Sequence, residues 1–445
     1  MNSSAPPSLP VRVDPAPPVV PRTILYLWIT FLASSALIWI TCFIYKRLGY
    51  GYPYSTPFPT TIFEDLRIYL GRFETFHTAQ FFEYSRHSHF AYPAGAAVIY
   101  KAFYATNHVR STYCYLSLAW AIFGAAFLTR ALLRRGVSLV LALALSVTCC
   151  VSYPFMFLIQ RGNIEIALWI ISSFGILAYM RKQPYVAAIL WGMAAAIKIY
   201  PIFLLGIFLG RRCREIGPLL AGIASALLTT LACLVYVGPS VGLAFRGFLG
   251  GVQGFQGAYA ETVRSSSMGY DHSLFSPFKL FAVSIGHLAG PWLHPYYVIA
   301  GTVATLLFLL RVRKLPFANR LTFLTVAFVL LPPVSYEYTL VHLYVPGALL
   351  LLYALQPRTA TAPSRPQLDS QPNLQARSLL LALASILVIF LPINLFIVHG
   401  ILFAGQAQIV PLLLLAALAA LHPWNDPIRI PYRYPAQPDL APQPS

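Results

Sequence analysis

The chain has 445 residues, of which 58% are hydrophobic and only 10% are charged, and its mean hydropathy is +0.66. Such values are typical of multi-pass membrane proteins and exclude a large soluble domain. The net charge of +18 does not indicate nucleic-acid binding, because the Arg and Lys residues lie in short clusters between hydrophobic segments, as in cytoplasmic loops.

The N-terminal part of the chain is predicted to be a cytoplasmic tail followed by a first membrane span. Residues 1–22 are rich in Pro and Ser and are expected to be disordered. The hydrophobic run 23–45 is too long for the core of a signal peptide, so we interpret it as an uncleaved span. It delivers a long polar loop, residues 46–92, to the outer face of the membrane.

The rest of the chain alternates between hydrophobic segments and clusters of Arg and Lys, which the positive-inside rule assigns to the cytoplasm. This assignment predicts about 10 to 13 transmembrane or re-entrant helices within residues 23–421. A second outer loop is expected at 238–275, a cytoplasmic linker at 356–377 and a Pro-rich cytoplasmic tail at 422–445. The predicted fold is an all-α polytopic protein of the plasma (inner) membrane, with both acidic loops on the non-cytoplasmic side.

The first outer loop collects titratable residues in an otherwise apolar chain. Glu64 and Asp65 lie just past the first span and are followed by Arg67 and Tyr69. A carboxylate that deprotonates a hydroxyl group needs a position of this kind, close to a cation. Asp65 is therefore predicted to be a catalytic base. As an exposed loop acid, it is expected to contribute little to stability.

Three further positions carry charge in or beside hydrophobic segments. Arg161 and Glu165 are four residues apart, so on one helix they would share a face and could simply pair with each other. Lys198 lies in the middle of the hydrophobic segment 184–210, where a Lys costs about 2.5–3.5 kcal/mol and usually lines an aqueous or anionic site. That segment is predicted to be re-entrant or broken. For Glu337 and His342, a helix-end charge and a buried hydrogen-bonded His are the simpler interpretations.

At these positions the sequence resembles glycosyltransferase family 87, membrane enzymes of the GT-C superfamily that includes polyprenol-phosphate-mannose-dependent α-mannosyltransferases. The matching elements occur in the family's order: EDLRIY at 64–69, FAYP at 90–93, RGN at 161–163, AIKIYP at 196–201, HSL at 272–274 and LPPVSY at 331–336. The sequence departs from the family pattern at Ala94, where a second Pro is usual, and at Asn163, within an Arg-Gly-Gln element. Tyr338 and Thr339 stand where the family shows a His pair.

The resemblance implies a GT-C-like helix bundle with a long first outer loop. It also implies inverting transfer of a hexose, mannose in the first instance, from a polyprenyl-phosphate-linked sugar to a glycan or glycolipid acceptor at the outer face. Asp65 would be the general base, and Arg161 and Lys198 would stabilise the departing phosphate. Neither a metal ion nor another cofactor is expected. The further residues expected to bind substrate are Glu64, Arg67, Tyr69, Tyr92, Asn163, Tyr200, His272, Glu337, Tyr338 and His342.

The main alternative is a polytopic transporter or lipid flippase that uses Lys198 and Glu165 within the membrane. The absence of a visible repeat between the two halves of the sequence, and the unequal polar loops, argue against it. A structural membrane scaffold is a weaker third interpretation. Sugar transfer by membranes that contain the protein would separate the first interpretation from the other two.

Overall fold

The computed structural model describes most of the hydrophobic part of the chain. The described residues are 22–59, 61–70, 73–82, 92–210, 215–262, 268–355, 371–392, 397–398 and 401–424. The expected tails and most of the expected linker (1–21, 425–445 and 356–370) lie outside these residues. Within the described part, helices account for nearly all regular structure, and the all-α prediction is confirmed.

Helices of 7 to 26 residues make up most of the described part of the chain. In chain order the α-helices are α1 Arg22–Arg47, α2 Glu64–Leu70, α3 Ala94–Tyr104, α4 Val109–Leu133, α5 Leu139–Val151, α6 Tyr153–Arg161, α7 Glu165–Met180, α8 Pro184–Ile197, α9 Ile216–Val237, α10 Val241–Phe255, α11 Ser276–Ser284, α12 Gly290–Leu310, α13 Phe317–Leu330, α14 Tyr344–Ala354, α15 Gln371–Ile389 and α16 Ala404–Leu421. Short 3-10 helices occur at Phe73–Thr75, Tyr200–Leu209, Val312–Lys314 and Glu337–Leu343, and a π-helical turn at Gln256–Ala260. A small antiparallel hairpin pairs β1 Ile397–Val398 with β2 Ile401–Leu402.

Six described helical segments are long and apolar enough to cross a membrane. They are Arg22–Arg47, Val109–Leu133, Leu139–Arg161, Ile216–Val237, Gly290–Lys314 and Ala404–Leu421. Five shorter apolar segments accompany them: Glu165–Met180, Pro184–Ile197, Tyr200–Leu209, Phe317–Leu330 and Leu374–Ile389. Together these segments fall within the predicted number of transmembrane or re-entrant helices, so the chain is a multi-pass membrane protein.

Burial separates a central group of helices from a peripheral one. Almost every residue of α13 is buried, and the 3-10 helix Glu337–Leu343 is buried throughout. In contrast, α1, α9 and α12 leave most of their apolar side chains on the outer surface, as expected for helices that face lipid. Small residues allow the close packing of α8 on α9, because a Cβ atom at Gly192 would lie only 2.2 Å from the carbonyl oxygen of Gly222.

Two helices end abruptly in the middle of hydrophobic segments. Helix α8 ends at Ile197, and Lys198 has an extended backbone before the chain continues as the 3-10 helix Tyr200–Leu209. The break predicted for the segment 184–210 is therefore present. The other break follows Arg161, where Gly162 adopts a left-handed conformation with φ of 66°. A side chain there would also collide with Leu66, since a Cβ atom would lie 2.8 Å from it.

The two loops predicted to face outward contact each other at one end of the bundle. The backbone N–H of His77 donates to the carbonyl of Val237 at 3.0 Å, and the ring of Phe82 packs against Phe248 at 5.7 Å between centroids. The hydroxyl groups of Tyr52 and Tyr270 share a hydrogen bond. The loops therefore lie on one side of the bundle, opposite the turn between α7 and α8.

This arrangement predicts the labelling pattern of introduced cysteines in a variant without its native cysteines. Ser55→Cys and Thr262→Cys should react with an impermeant thiol reagent from the same, non-cytoplasmic side of sealed membranes. Lys182→Cys, in the turn between α7 and α8, should react only after permeabilisation. Reaction of Ser55→Cys without Thr262→Cys would contradict this arrangement.

Candidate active site

The polar side chains at the centre of the protein come from helix ends rather than from helix middles. Asp65 lies in the first turn of α2, Arg161 ends α6, Asn163 lies in the turn before α7, and Lys198 follows α8. Helix ends can bring charged side chains and uncommitted backbone groups together inside a membrane protein, where a continuous helix would point them into lipid.

Arg161 holds the two carboxylates of the first outer loop. One guanidinium nitrogen donates to Glu64, and the other donates to Asp65 Oδ1 at 2.6 Å. The second oxygen of Asp65 accepts from the side-chain amide of Asn163 at 2.5 Å. Asp65 is only 8% exposed. The expectation of an exposed loop acid is therefore wrong, because the loop folds back onto the end of α6.

Glu165 forms a second group of contacts with residues that follow it in the chain. Its Oε2 accepts from Lys198 Nζ at 2.5 Å, and its Oε1 contacts the hydroxyl of Tyr200 and His342 Nε2, the latter at 2.6 Å. Glu165 is fully buried and Lys198 nearly so. A pairing of Arg161 with Glu165 does not occur, because the left-handed turn at Gly162 places them on different helices.

The side chain of Asn163 joins these two groups into one network. Its amide oxygen accepts from Lys198 Nζ at 3.1 Å and from the backbone N–H of Glu165 at 3.0 Å. Its amide nitrogen donates to Asp65 and, at 3.0 Å, to the hydroxyl of Tyr92. These partners use both ends of the amide and fix its orientation.

Tyrosine rings surround the ammonium group of Lys198. Its Nζ lies 4.9 Å from the ring centroid of Tyr92 and 5.0 Å from that of Tyr338, distances at which cation–π attraction contributes. An ammonium group has three N–H donors. Within the described part of the chain, Glu165 and Asn163 accept two of them, so one donor is available to an anionic ligand.

The structure thus brings nine of the residues singled out in the sequence into one network. They are Glu64, Asp65, Tyr92, Arg161, Asn163, Lys198, Tyr200, Tyr338 and His342. It does not bring in Arg67, whose exposed side chain makes no hydrogen bond or ion pair within the described residues. The backbone of Tyr69 lies in α2, but its side chain lies outside the described part of the structure.

His272 lies in a separate buried cluster built around an ion pair between Asp271 and Lys279. The other oxygen of Asp271 accepts from the backbone N–H groups of Ser273 and Ser335, both at 3.0 Å. His272 Nε2 lies 3.1 Å from the hydroxyl of Ser335, and burial lowers the pKa of its ring to about 3, so the ring is neutral at physiological pH. Through Ser335, this cluster fixes the backbone of the residues just before Tyr338.

Lys279 was not among the residues predicted from the sequence. Its signal was a lysine inside the apolar run 274–283, eight residues after an aspartate. That spacing predicts no particular contact, because the two residues meet only when the loop before α11 folds back on the helix. Within the described residues, no group of three or more His, Cys, Asp or Glu side chains is placed to bind a metal ion.

Glu337 begins the 3-10 helix Glu337–Leu343 and is fully buried, close enough to Asp271 to feel its charge. Neither of its carboxyl oxygens makes a hydrogen bond of ordinary geometry within the described residues. Burial raises the pKa of Glu337 well above its usual value, and the negative charge of Asp271 adds to this rise, while the amide of Gln408 opposes it. Within the described part of the chain, the carboxyl group of Glu337 makes no hydrogen bond or ion pair with the network around Asn163.

Comparison with protein families supports the resemblance read from the motifs. The sequence matches the family model described as glycosyltransferase family 87 over residues 90–333, more than half of the chain. The matched region contains Tyr92, Arg161, Asn163 and Lys198 and begins after Asp65. Comparison with characterised proteins and with solved structures gives no match.

The raised pKa of Glu337 predicts a pH-dependent cost to stability. In the unfolded chain the Glu337 carboxyl has its ordinary, lower pKa. Above that pKa, unfolding releases its proton, so the wild-type protein loses stability as pH rises. The neutral amide in Glu337→Gln has no such loss. Its free energy of unfolding relative to wild type should therefore increase between pH 5 and pH 8, by up to about 1.4 kcal/mol for each pH unit.

Denaturant unfolding in detergent at several pH values would measure this difference, with Glu74→Gln, at an exposed position, as the control. A Glu337→Gln protein that is less stable than wild type by the same amount at every pH would show that the native carboxyl does not hold its proton.

Proposed function

The chain belongs to glycosyltransferase family 87, and on this basis we propose that it transfers a hexose, mannose in the first instance, from a polyprenyl-phosphate-linked sugar. The acceptor is a hydroxyl group of a glycan or glycolipid at the non-cytoplasmic face of the plasma (inner) membrane. The single observation that carries the proposal is the network in which Asn163 joins the Asp65–Arg161 pair to Lys198.

Asp65 is the proposed general base. Among the described residues, each oxygen of its carboxylate has one partner, Arg161 or Asn163, and a carboxylate oxygen can accept a second hydrogen bond. An acceptor hydroxyl bonded to Asp65 would lose its proton to the carboxylate as its oxygen attacks the anomeric carbon of the sugar. Attack on the face opposite the leaving phosphate makes the transfer inverting.

Arg161 and Lys198 are the proposed partners of the phosphate. When the bond from the anomeric carbon to the phosphate oxygen breaks, its electron pair stays on that oxygen, and the phosphate gains one negative charge. The available N–H of Lys198 and the guanidinium of Arg161 can stabilise this charge within a largely buried site. Lys198 is already held in place by Glu165 and Asn163 and does not need to reorganise during the reaction.

The charge of the site changes little as the reaction proceeds. Asp65 loses its negative charge when it takes the proton, at the moment when the phosphate becomes more negative. Arg161, released from a neutralised Asp65, can then turn its hydrogen bonds toward the phosphate. A single guanidinium that contacts both the base and the leaving group therefore links the two halves of the reaction.

An apolar cavity that begins one helical turn from Glu165 suits the lipid part of such a donor. The cavity has a volume of about 210 Å³ and follows α7 from Trp169, one turn below Glu165, to Met180. Phe127 and Phe174 line it and are themselves 49% and 42% exposed, so it opens toward the surface that faces lipid. A polyprenyl chain could enter from the bilayer while its phosphate remains near Lys198.

The transporter or flippase alternative has less support. Family membership favours a membrane glycosyltransferase. Lys198 and Glu165, the two residues on which that alternative depends, pair with each other and with Asn163, His342 and Tyr200, which fits a fixed site better than a moving carrier.

Asp65→Asn should reduce transfer from polyprenyl-phosphate-mannose by about 10²–10⁴-fold, because the amide cannot take the proton. Glu64→Gln should lose less, since Arg161 keeps its contact with Asp65. Removing a hydrogen-bonded charge from this buried position should also cost about 1.5–3 kcal/mol of stability, so rates must be compared per amount of folded protein. Transfer by folded Asp65→Asn at more than about a tenth of the wild-type rate would exclude Asp65 as the base.

A further inference from the structure

A cluster of tyrosine side chains at the outer end of α1 takes no part in the network described above. The rings of Tyr45, Tyr50 and Tyr54 pack on one another, with centroids 5.4, 5.8 and 6.0 Å apart in the three pairs. Tyr50 is 53% exposed and Tyr54 38% exposed. Single tyrosines are common at membrane surfaces. These three rings are in mutual contact but are inclined to one another by 51° to 84°, so each exposes its own face; the cluster is here called the tyrosine platform.

The platform stands on a hydrogen-bonded turn. The backbone N–H of Tyr50 donates to the carbonyl of Tyr45 at 3.0 Å, and that of Tyr54 donates to Gly51 at 3.1 Å. Gly49 adopts a left-handed conformation with φ of 84°, and no atom lies within 4 Å of a Cβ atom built at Gly49 or Gly51. The turn is therefore ordered by its own backbone while the space beside it stays open.

The platform is connected to the candidate active site through aromatic side chains. Tyr52, between the two exposed tyrosines, shares a hydrogen bond with Tyr270. The ring of Tyr270 lies 5.0 Å from the ring of Phe157. The ring of Phe157 lies 6.1 Å from that of Tyr338, which contacts the ammonium group of Lys198. A chain of contacts thus runs from the outer surface to the network, so a ligand on the platform would lie on the approach to the site.

We propose that the tyrosine platform is a subsite for a sugar ring of the acceptor glycan. The C–H face of a pyranose stacks on aromatic rings, and its hydroxyl groups can bond to the phenolic oxygens at the ring edges. The exposed rings of Tyr50 and Tyr54 offer such faces at the outer end of the aromatic contacts that lead to the site. The assignment rests on the proposed function, which requires a hydroxyl-bearing acceptor on this face.

Binding of soluble oligosaccharides to the full-length protein in nanodiscs tests the platform without depending on transfer. The probes are an α-linked mannotriose and maltotriose, followed by saturation-transfer NMR. The double variant Tyr50→Ala/Tyr54→Ala should weaken binding of at least one probe by about tenfold. Tyr50→Phe/Tyr54→Phe should retain most of the affinity, because the rings remain. Tyr26→Ala, at an exposed position near the opposite end of α1, is the matched control.

The acceptor KM and the donor KM, measured with polyprenyl-phosphate-mannose and an octyl α-mannoside acceptor, separate the two proposals. A raised acceptor KM with an unchanged donor KM in the alanine variant supports the platform. Probe binding that depends on the tyrosines, without any transfer by the wild-type protein, would support the platform and count against the proposed function. Two results would overturn the platform. The first is that the wild-type protein transfers sugar but the alanine substitutions change neither probe binding nor the acceptor KM. The second is that neither probe binds to the wild-type protein.

Discussion

The whole site depends on one asparagine that joins two ion pairs, of which Lys198–Glu165 is buried and Arg161–Asp65 is partly exposed. A charge inside a membrane protein is expensive unless it is paired, and removing one partner of a buried pair typically costs about 3–5 kcal/mol. Here the Arg161–Asp65 and Lys198–Glu165 pairs share Asn163, whose amide contacts one member of each. The outer loop, the turn before α7 and the break after α8 are therefore held at a common point.

Backbone breaks and small residues make this arrangement possible. The left-handed Gly162 turns the chain so that Arg161 faces the outer loop while Glu165 faces Lys198. Gly95 lets α3 approach the last turn of α8, since a Cβ atom there would lie 2.6 Å from the carbonyl oxygen of Ala196. That approach places Tyr92, just before α3, over the ammonium group. The polar chemistry thus depends on backbone conformations as much as on the charged residues themselves.

Hydropathy predicted the membrane-spanning segments well, because each such segment must satisfy its own backbone and face lipid. The break at Lys198 was also predictable, since a charge in the middle of an apolar run is unfavourable in a straight helix. The burial of Asp65 was not, because it arises from contacts with residues almost a hundred positions later. The spacing of Arg161 and Glu165 predicted a possible pair on one helix face. That pair does not form because the helix ends at Gly162, between the two residues. Lys279 and Asp271 meet through a loop whose path no local pattern predicts.

The central claim is that Asp65 and Lys198 act together on one transition state. The most direct test compares single-turnover transfer from polyprenyl-phosphate-mannose by wild type, Asp65→Asn, Lys198→Gln and the double variant, each corrected for folded protein. Residues that act as a unit give strongly non-additive losses, so the double variant should be about as slow as the slower single variant. Losses that multiply in the double variant would show that the two residues contribute independently and would contradict a shared catalytic network.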